Sequence, residues 1–152
     1  YSLVNEFPHD PEAYTQGLEF DGETLYESTG LKGKSSLRRV NYKTGAVEKK
    51  IDLDASYFGE GLTLINGKIV QLTWQASTGF IYDQEKMEME RSFNYDKSKE
   101  GWGLCNDGTQ HSKSEGTAKI WTLDADSQKE LSYIEATKNK PIQSKKNDLE
   151  WV

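Results

Sequence analysis

Four residues in this 152-residue chain have types and spacing that could do chemistry together: Gln16, Glu60, Trp102 and Asn147. Each stands immediately before a recurring dipeptide, Gly17-Leu18, Gly61-Leu62, Gly103-Leu104 or Asp148-Leu149, and the dipeptides recur at intervals of 44, 42 and 45 residues. An amide, a carboxylate, an indole and a second amide would thus occupy equivalent places in successive repeats. Glu60 is the reactive member. In YFGEGLTL it lies between Gly59 and Gly61 at the head of an apolar run. A carboxylate there is either a solvated turn residue or a group carried into a crowded site. In the second case burial raises its pKa and suits it to move protons near neutral pH.

The elements that must position these residues read as short strands. LEF, TLYEST, SLRRVNY and VEKKIDL alternate with the turn sequences DG, GLKGK and KTGA. A second round follows in LTLI, KIVQLTW, GFIYD and MEMERSFNY, with Asn66-Gly67 as a hairpin turn signal. GLCN, TQHSKSE, AKIWTLD and QKELSYIEA make a third, with Asp107-Gly108 at its first turn. No segment carries a sustained helical stripe, and the acid-rich DQEKMEMER, with Met87 and Met89 set between acids, reads as a solvated outer strand. A period in the forties with four strands per unit is that of a β-propeller blade, an all-β architecture; a β-sandwich of evenly spaced hairpins is the competing arrangement. In a propeller the first strand of each blade lines the central channel and ends on the face where ligands bind. The four residues would then converge on one axis. In a sandwich they would be unrelated turn and capping residues.

Length allows one domain over residues 1–152, with repeats opening near 16, 60, 102 and 147. A net charge of -6 and a pI near 5.0 argue against a nucleic-acid partner, which would call for a basic face. Eight Tyr, five Phe and four Trp are more aromatic residues than a disordered chain carries. The single Cys105 cannot form an intrachain disulfide. No apolar run approaches a membrane span, and YSLVNEF has neither a basic region nor a long apolar core, which says nothing about secretion. Smaller motifs read as structure. Gly33-Lys34-Ser35 lacks the earlier glycine of a phosphate-binding loop, since Ser28 stands there, and a strand follows it. His9, His111 and Cys105 do not make a metal set, and His9 in PHDP is expected to hold a turn. Asp10 and Asp21 read as turn formers, and Trp121 and Trp151 as core residues.

The segments FPHDPEAYTQGLEF, LYESTGLKGKSSLR, YFGEGLTL, QLTWQ, GFIYD, EGWGL and NDLEWV, taken in order from Phe7 to the chain end, resemble the signature segments of the plant and bacterial type glutaminyl cyclotransferases. That resemblance implies a five-bladed β-propeller and an enzyme that converts N-terminal glutamine of peptides or proteins to pyroglutamate with release of ammonia. It also implies a secreted or periplasmic setting and no catalytic metal or other cofactor. Carried over by residue, Glu60 matches the family's essential acid, Gln16 and Asn147 its substrate-holding amides, and Trp74 and Trp102 its aromatic walls. Tyr14 and Phe58 fall at flanking pocket positions, Tyr14 where many relatives have Phe. Family members continue beyond the point that matches Val152, with a further Trp and a Lys at the site, so three blades and part of a fourth are expected here. Gln110 to Lys113 and Ser144 to Lys146 place polar residues where relatives have apolar strand residues. A non-catalytic propeller that binds a peptide or small ligand against the same aromatic walls is the alternative from a different class.

Overall fold

A computed structural model describes residues 2–137 and 147–151. Among them, twelve strands form three four-stranded antiparallel sheets, each laid down in chain order. The first sheet comprises β1 (Thr15–Asp21), β2 (Thr24–Thr29), β3 (Ser36–Asn41) and β4 (Ala46–Asp52). The second comprises β5 (Gly59–Ile65), β6 (Lys68–Thr73), β7 (Thr78–Asp83) and β8 (Glu88–Asn94). The third comprises β9 (Leu104–Asn106), β10 (Gln110–Ser114), β11 (Lys119–Asp124) and β12 (Glu130–Glu135). These are three consecutive blades of a β-propeller. Their hairpins follow from turn chemistry: Asn66 (φ 51°) and Gly67 (φ 72°) both take the left-handed conformation that a two-residue turn between twisted strands requires.

The core lies between blades, in two layers that clamp the second blade from both faces. Ile69, Phe80 and Tyr82 pack with Tyr26, Leu37, Leu62 and Met87 on one side. Val70, Leu72 and Ile81 pack with Phe93, Tyr95 and Leu104 on the other. Because side chains alternate along a strand, a sheet covered on both faces buries successive residues, and in KIVQLT Ile69, Val70, Gln71, Leu72 and Thr73 are all at most 1% exposed. Met87 corrects the reading of DQEKMEMER. The outer strand β8 starts at Glu88 and is mostly exposed, whereas Met87 lies in the preceding turn at φ 48° and is 2% exposed.

The first strands of the blades meet at recurring glycines. A Cβ on Gly17 would lie 2.8 Å from the Leu62 backbone nitrogen, and one on Gly61 would lie 2.5 Å from the Trp102 carbonyl oxygen. One on Gly103 would lie 2.3 Å from the Asn147 carbonyl oxygen. The backbone therefore occupies the space that any side chain at these positions would need, and it is this close approach that demands glycine.

One strand out from the axis, the residues that pair with Leu18, Leu62 and Leu104 are Glu27, Gln71 and Lys113. All three are at most 1% exposed, so each must find polar partners. Glu27 accepts from Thr15 Oγ1 at 2.6 Å and meets His9 Nε2 at 2.7 Å. Gln71 donates to Ser28 Oγ at 2.7 Å and accepts from Tyr82 Oη at 3.0 Å. Lys113 Nζ donates to Glu130 Oε1 at 2.7 Å and to Ser98 Oγ, and sits 3.8 Å from the Tyr95 ring centroid. His9 thus meets a buried acid rather than simply holding a turn. Asp10 both caps a turn, accepting from the Glu12 backbone at 2.9 Å, and pairs with Arg38 at 2.8 Å.

The polar residues of the third blade are explained by the same rule. Lys113 and His111 are fully buried, the first on Glu130 and the second through Nδ1 to Gln128 Oε1 at 2.9 Å. Ser144 to Lys146 lie outside the described residues. Of the two tryptophans read as core, Trp121 is 6% exposed, but Trp151 is 60% exposed and belongs to no strand.

Candidate active site

Gln16 and Glu60 sit where the strand ladder breaks. Thr15 pairs with Thr29 but Gly17 with Ser28, and Gly59 pairs with Thr73 but Leu62 with Gln71. Each first strand therefore carries one extra residue, a β-bulge that re-aims a side chain out of the regular alternation. In the third blade the pairing region of β9 begins only at Leu104, just past Trp102.

These irregularities bring the polar candidates together. Asn147 Nδ2 donates to Gln16 Oε1 at 3.3 Å, and Gln16 Nε2 donates to Glu60 Oε2 at 3.2 Å. Glu60 is 4% exposed. Burial pushes its carboxyl up to about 8; the Gln16 hydrogen bond opposes the rise and the negative charge of Glu100 adds to it. A carboxyl in that range is protonated at neutral pH yet close to losing its proton.

The aromatic candidates form a second chain. Tyr14 meets Phe58 edge-on with centroids 6.1 Å apart, and Phe58 meets Trp74 at 5.6 Å. Trp74 Nε1 donates to Glu100 Oε2 at 3.0 Å, and Trp102 Nε1 donates to the same oxygen at 2.8 Å. The two chains are tied through the backbone, where Gly61 N donates to the Trp102 carbonyl at 2.7 Å. All seven residues singled out from the sequence thus fall in one connected region, with Tyr14 at its exposed edge. Glu100 was not among them. Its signal was its place in EGWGL, two residues before Trp102, but nothing in the local pattern says that it also reaches Trp74, just past β6 in the second blade.

An open cavity of about 620 Å³ borders Trp74, Glu100 and Trp102, with Lys97, Lys99 and Gly116 completing much of its wall. Glu60 is not part of that wall. The acid is linked to that wall by the negative charge of Glu100 and by the Gly61–Trp102 backbone bond. Among the described residues no group of three or more His, Cys, Asp or Glu is arranged to hold a metal ion.

A propeller that carries a buried, amide-held carboxylate on the first strand of one blade and, at the seam with the next, two indoles bonded to one glutamate is the class of protein that fold and site define. The family model described as glutamine cyclotransferase matches residues 1–152, and the chain belongs to that family. It is 46% identical over 128 residues to a glutaminyl-peptide cyclotransferase of Arabidopsis thaliana, a match covering 84% of this chain and 40% of that protein. The crystal structure of Myxococcus xanthus glutaminyl cyclase is similar at TM-score 0.88 and 26% identity, covering 99% of this chain and 63% of that one. The three blades described here align within that share of the solved chain. The WD40 domain of Neurospora crassa Pan2 matches at TM-score 0.65 and 10% identity over 80% of this chain and 36% of that one, a likeness of fold alone. The chain spans about two fifths of the length of the plant relative.

Proposed function

We propose that this chain carries the acid, amides and indole walls of a glutaminyl-peptide cyclotransferase that converts N-terminal glutamine of peptides to pyroglutamate with release of ammonia. The observation that supports this best is Glu60 itself, 4% exposed, held by Gln16 and pushed up to about 8. The reaction needs no enzyme nucleophile, because the substrate's α-amine attacks its own γ-carbonyl. As the new N–C bond forms, the attacking nitrogen must lose a proton; as the old C–N bond breaks, the departing nitrogen must gain one. Glu60 performs both transfers as a shuttle, giving its proton to the leaving nitrogen and taking the one released by the attacking amine. Atoms balance: the products are the five-membered lactam and ammonia, and the carboxyl ends protonated as it began.

Gln16 and Asn147 each keep one amide hydrogen beyond the bond already made, and these can donate to the oxyanion that develops on the γ-carbonyl. Phe58, Trp74 and Trp102 exclude water and hold the glutamine side chain folded toward its own amine. By the family resemblance the protein works in a secreted or periplasmic setting, which fractionation of its source cells would test.

The test is ammonia release by the intact protein from a Gln-Phe peptide, with Glu60→Gln as the comparison. The expected result is release by the parent and a loss of about 10²–10⁴-fold in the variant with the fold retained. Undiminished release by the variant overturns the role of Glu60. Peptide binding without release by the parent favours a binding propeller instead.

A further inference from the structure

We propose that Glu100 is a positioning residue of this site, one carboxylate that locks Trp74 and Trp102 into a single rigid wall beside Glu60. The inference rests on the cyclotransferase reading but starts from a geometry independent of it. One oxygen, Oε2, accepts both indole N–H groups, from Trp74 at 3.0 Å and from Trp102 at 2.8 Å. Trp74 follows β6 in the second blade and Trp102 precedes β9 in the third, so the bond pair spans the seam between blades. Each ring is also fixed away from its nitrogen. Phe58 meets Trp74 at 5.6 Å, and a Cβ on Gly116 would lie 2.7 Å from Trp102 Cζ2, so the second indole lies against bare backbone.

Glu100 is itself carried on a stapled connection. Between β8 and β9 the Glu130 carboxylate accepts from the backbone nitrogens of Lys97 at 2.5 Å and Ser98 at 2.9 Å. Tyr95 Oη donates to the Thr73 carbonyl and accepts from the Thr73 nitrogen, each at 2.9 Å, which ties the start of the connection to the residue before Trp74. A Cβ on Gly101 would lie 2.4 Å from that hydroxyl, so the end of the connection is pressed against the same point. A carboxylate on such a support cannot follow its partners; the indoles must follow it.

The charged groups around this clamp come from several elements. Glu60 on β5 feels the charge of Glu100. Lys97 and Lys99 on the same connection and Glu115 after β10 share the cavity wall with Glu100, and the buried Lys113–Glu130 pair lies beyond Tyr95. Removing the charge of Glu100 while keeping an acceptor oxygen should therefore separate its two effects. Glu100→Gln retains an oxygen for both indoles and loses the negative charge beside Glu60. Glu100→Ala loses both.

The experiment measures the indole N–H resonances and the pH dependence of kcat/KM in the intact protein. In Glu100→Ala the Trp74 and Trp102 indole resonances should move together toward solvent-like positions, and KM for a Gln-Phe peptide should rise about tenfold or more. In Glu100→Gln the resonances and KM should return toward the parent, while the alkaline limb of kcat/KM shifts to lower pH. Unmoved indole resonances in Glu100→Ala overturn the clamp. An unshifted limb in Glu100→Gln overturns the effect on Glu60. A parent that releases no ammonia would sink the cyclotransferase reading alone, since the resonances still decide the clamp.

Discussion

Gln16 and Glu60, on the first strands of adjacent blades, meet through a 3.2 Å hydrogen bond only because each sits in a β-bulge. The bond ties a neutral amide to a carboxyl whose burial costs it its charge. Under the proposed shuttle, the chemistry, the pH response and the stability of the protein would all depend on the same pair.

Activity should follow a bell-shaped pH profile centred near pH 8. The productive state pairs a free substrate amine, with an ordinary pKa of about 7.7–8.0, with a protonated Glu60, pushed up to about 8. The acid limb reports the amine and the alkaline limb reports Glu60. Gln16→Leu removes a donor that favours the ionised form, so its alkaline limb should move upward even as the rate falls. A downward shift measured in kcat/KM would contradict the role given to the Gln16 hydrogen bond.

Stability should respond to Glu60 in the opposite sense to activity. Its folded pKa of about 8 lies above the unfolded value, so its contribution is fully present below about pH 4.5 and is lost as pH rises through 8. Glu60→Gln has no such loss. Its free energy of unfolding should match the parent's near pH 5 and exceed it at pH 9, by a few kcal/mol. Parallel melting curves across that range would show that burial of Glu60 is not the cause.

Replacing the close-approach glycines should open the seam between blades. Gly61→Ala puts a methyl 2.5 Å from the Trp102 carbonyl, against backbone that cannot rotate away. Chemical denaturation should register a loss of about 1–3 kcal/mol. Activity should fall further than stability, because Gly61 N and the Trp102 carbonyl join the two halves of the site.

Breaking the buried pair in the third blade should be costly, and replacing it whole should not. Glu130→Ala leaves the Lys113 ammonium buried without its counter-charge and should cost about 3–5 kcal/mol, whereas Lys113→Met with Glu130→Leu should recover most of that in urea unfolding. Burial acts to raise the Glu130 carboxyl, but Lys113 and Ser98 outweigh it and hold it at about 2. With the folded value below the unfolded one, its contribution is present above about pH 4.5 and fades as pH falls toward 2. Acid unfolding of the parent should begin in that window and be absent as a separate step in the double variant.

The blades were legible because their signal is local. Strand alternation, turn residues and the recurring Gly-Leu step all lie within a few residues of one another, and in KIVQLT the apolar Ile69, Val70 and Leu72 fall on both faces of one strand. Tyr14, Gln16, Phe58, Glu60, Trp74, Trp102 and Asn147 were legible by period and resemblance, and the fold brings them into one region. What escaped was long-range. The bulges at Gln16 and Glu60 exist only against the register of the partner strand. Glu100 gains its meaning from an indole on another blade, and Lys113 looks misplaced until Glu130 is set against it. Met87 and Trp151 read the wrong way because a turn can bury a residue, and a residue outside a strand can stay exposed, whatever the local alternation suggests.

Glu27, Gln71 and Lys113 occupy one address in three blades, and they are an acid, an amide and a base. Repeated sheets of similar sequence invite assembly in the wrong order, with one copy docking where another belongs. Glu27 and Lys113 keep Thr15 and Glu130 as partners within their own sheets, and these travel with them, whereas Gln71 reaches into the first blade, donating to Ser28 Oγ and to the Ser36 carbonyl. An ionised acid at that address has no proton to give the Ser36 carbonyl, so this one amide marks which blade seats against the first.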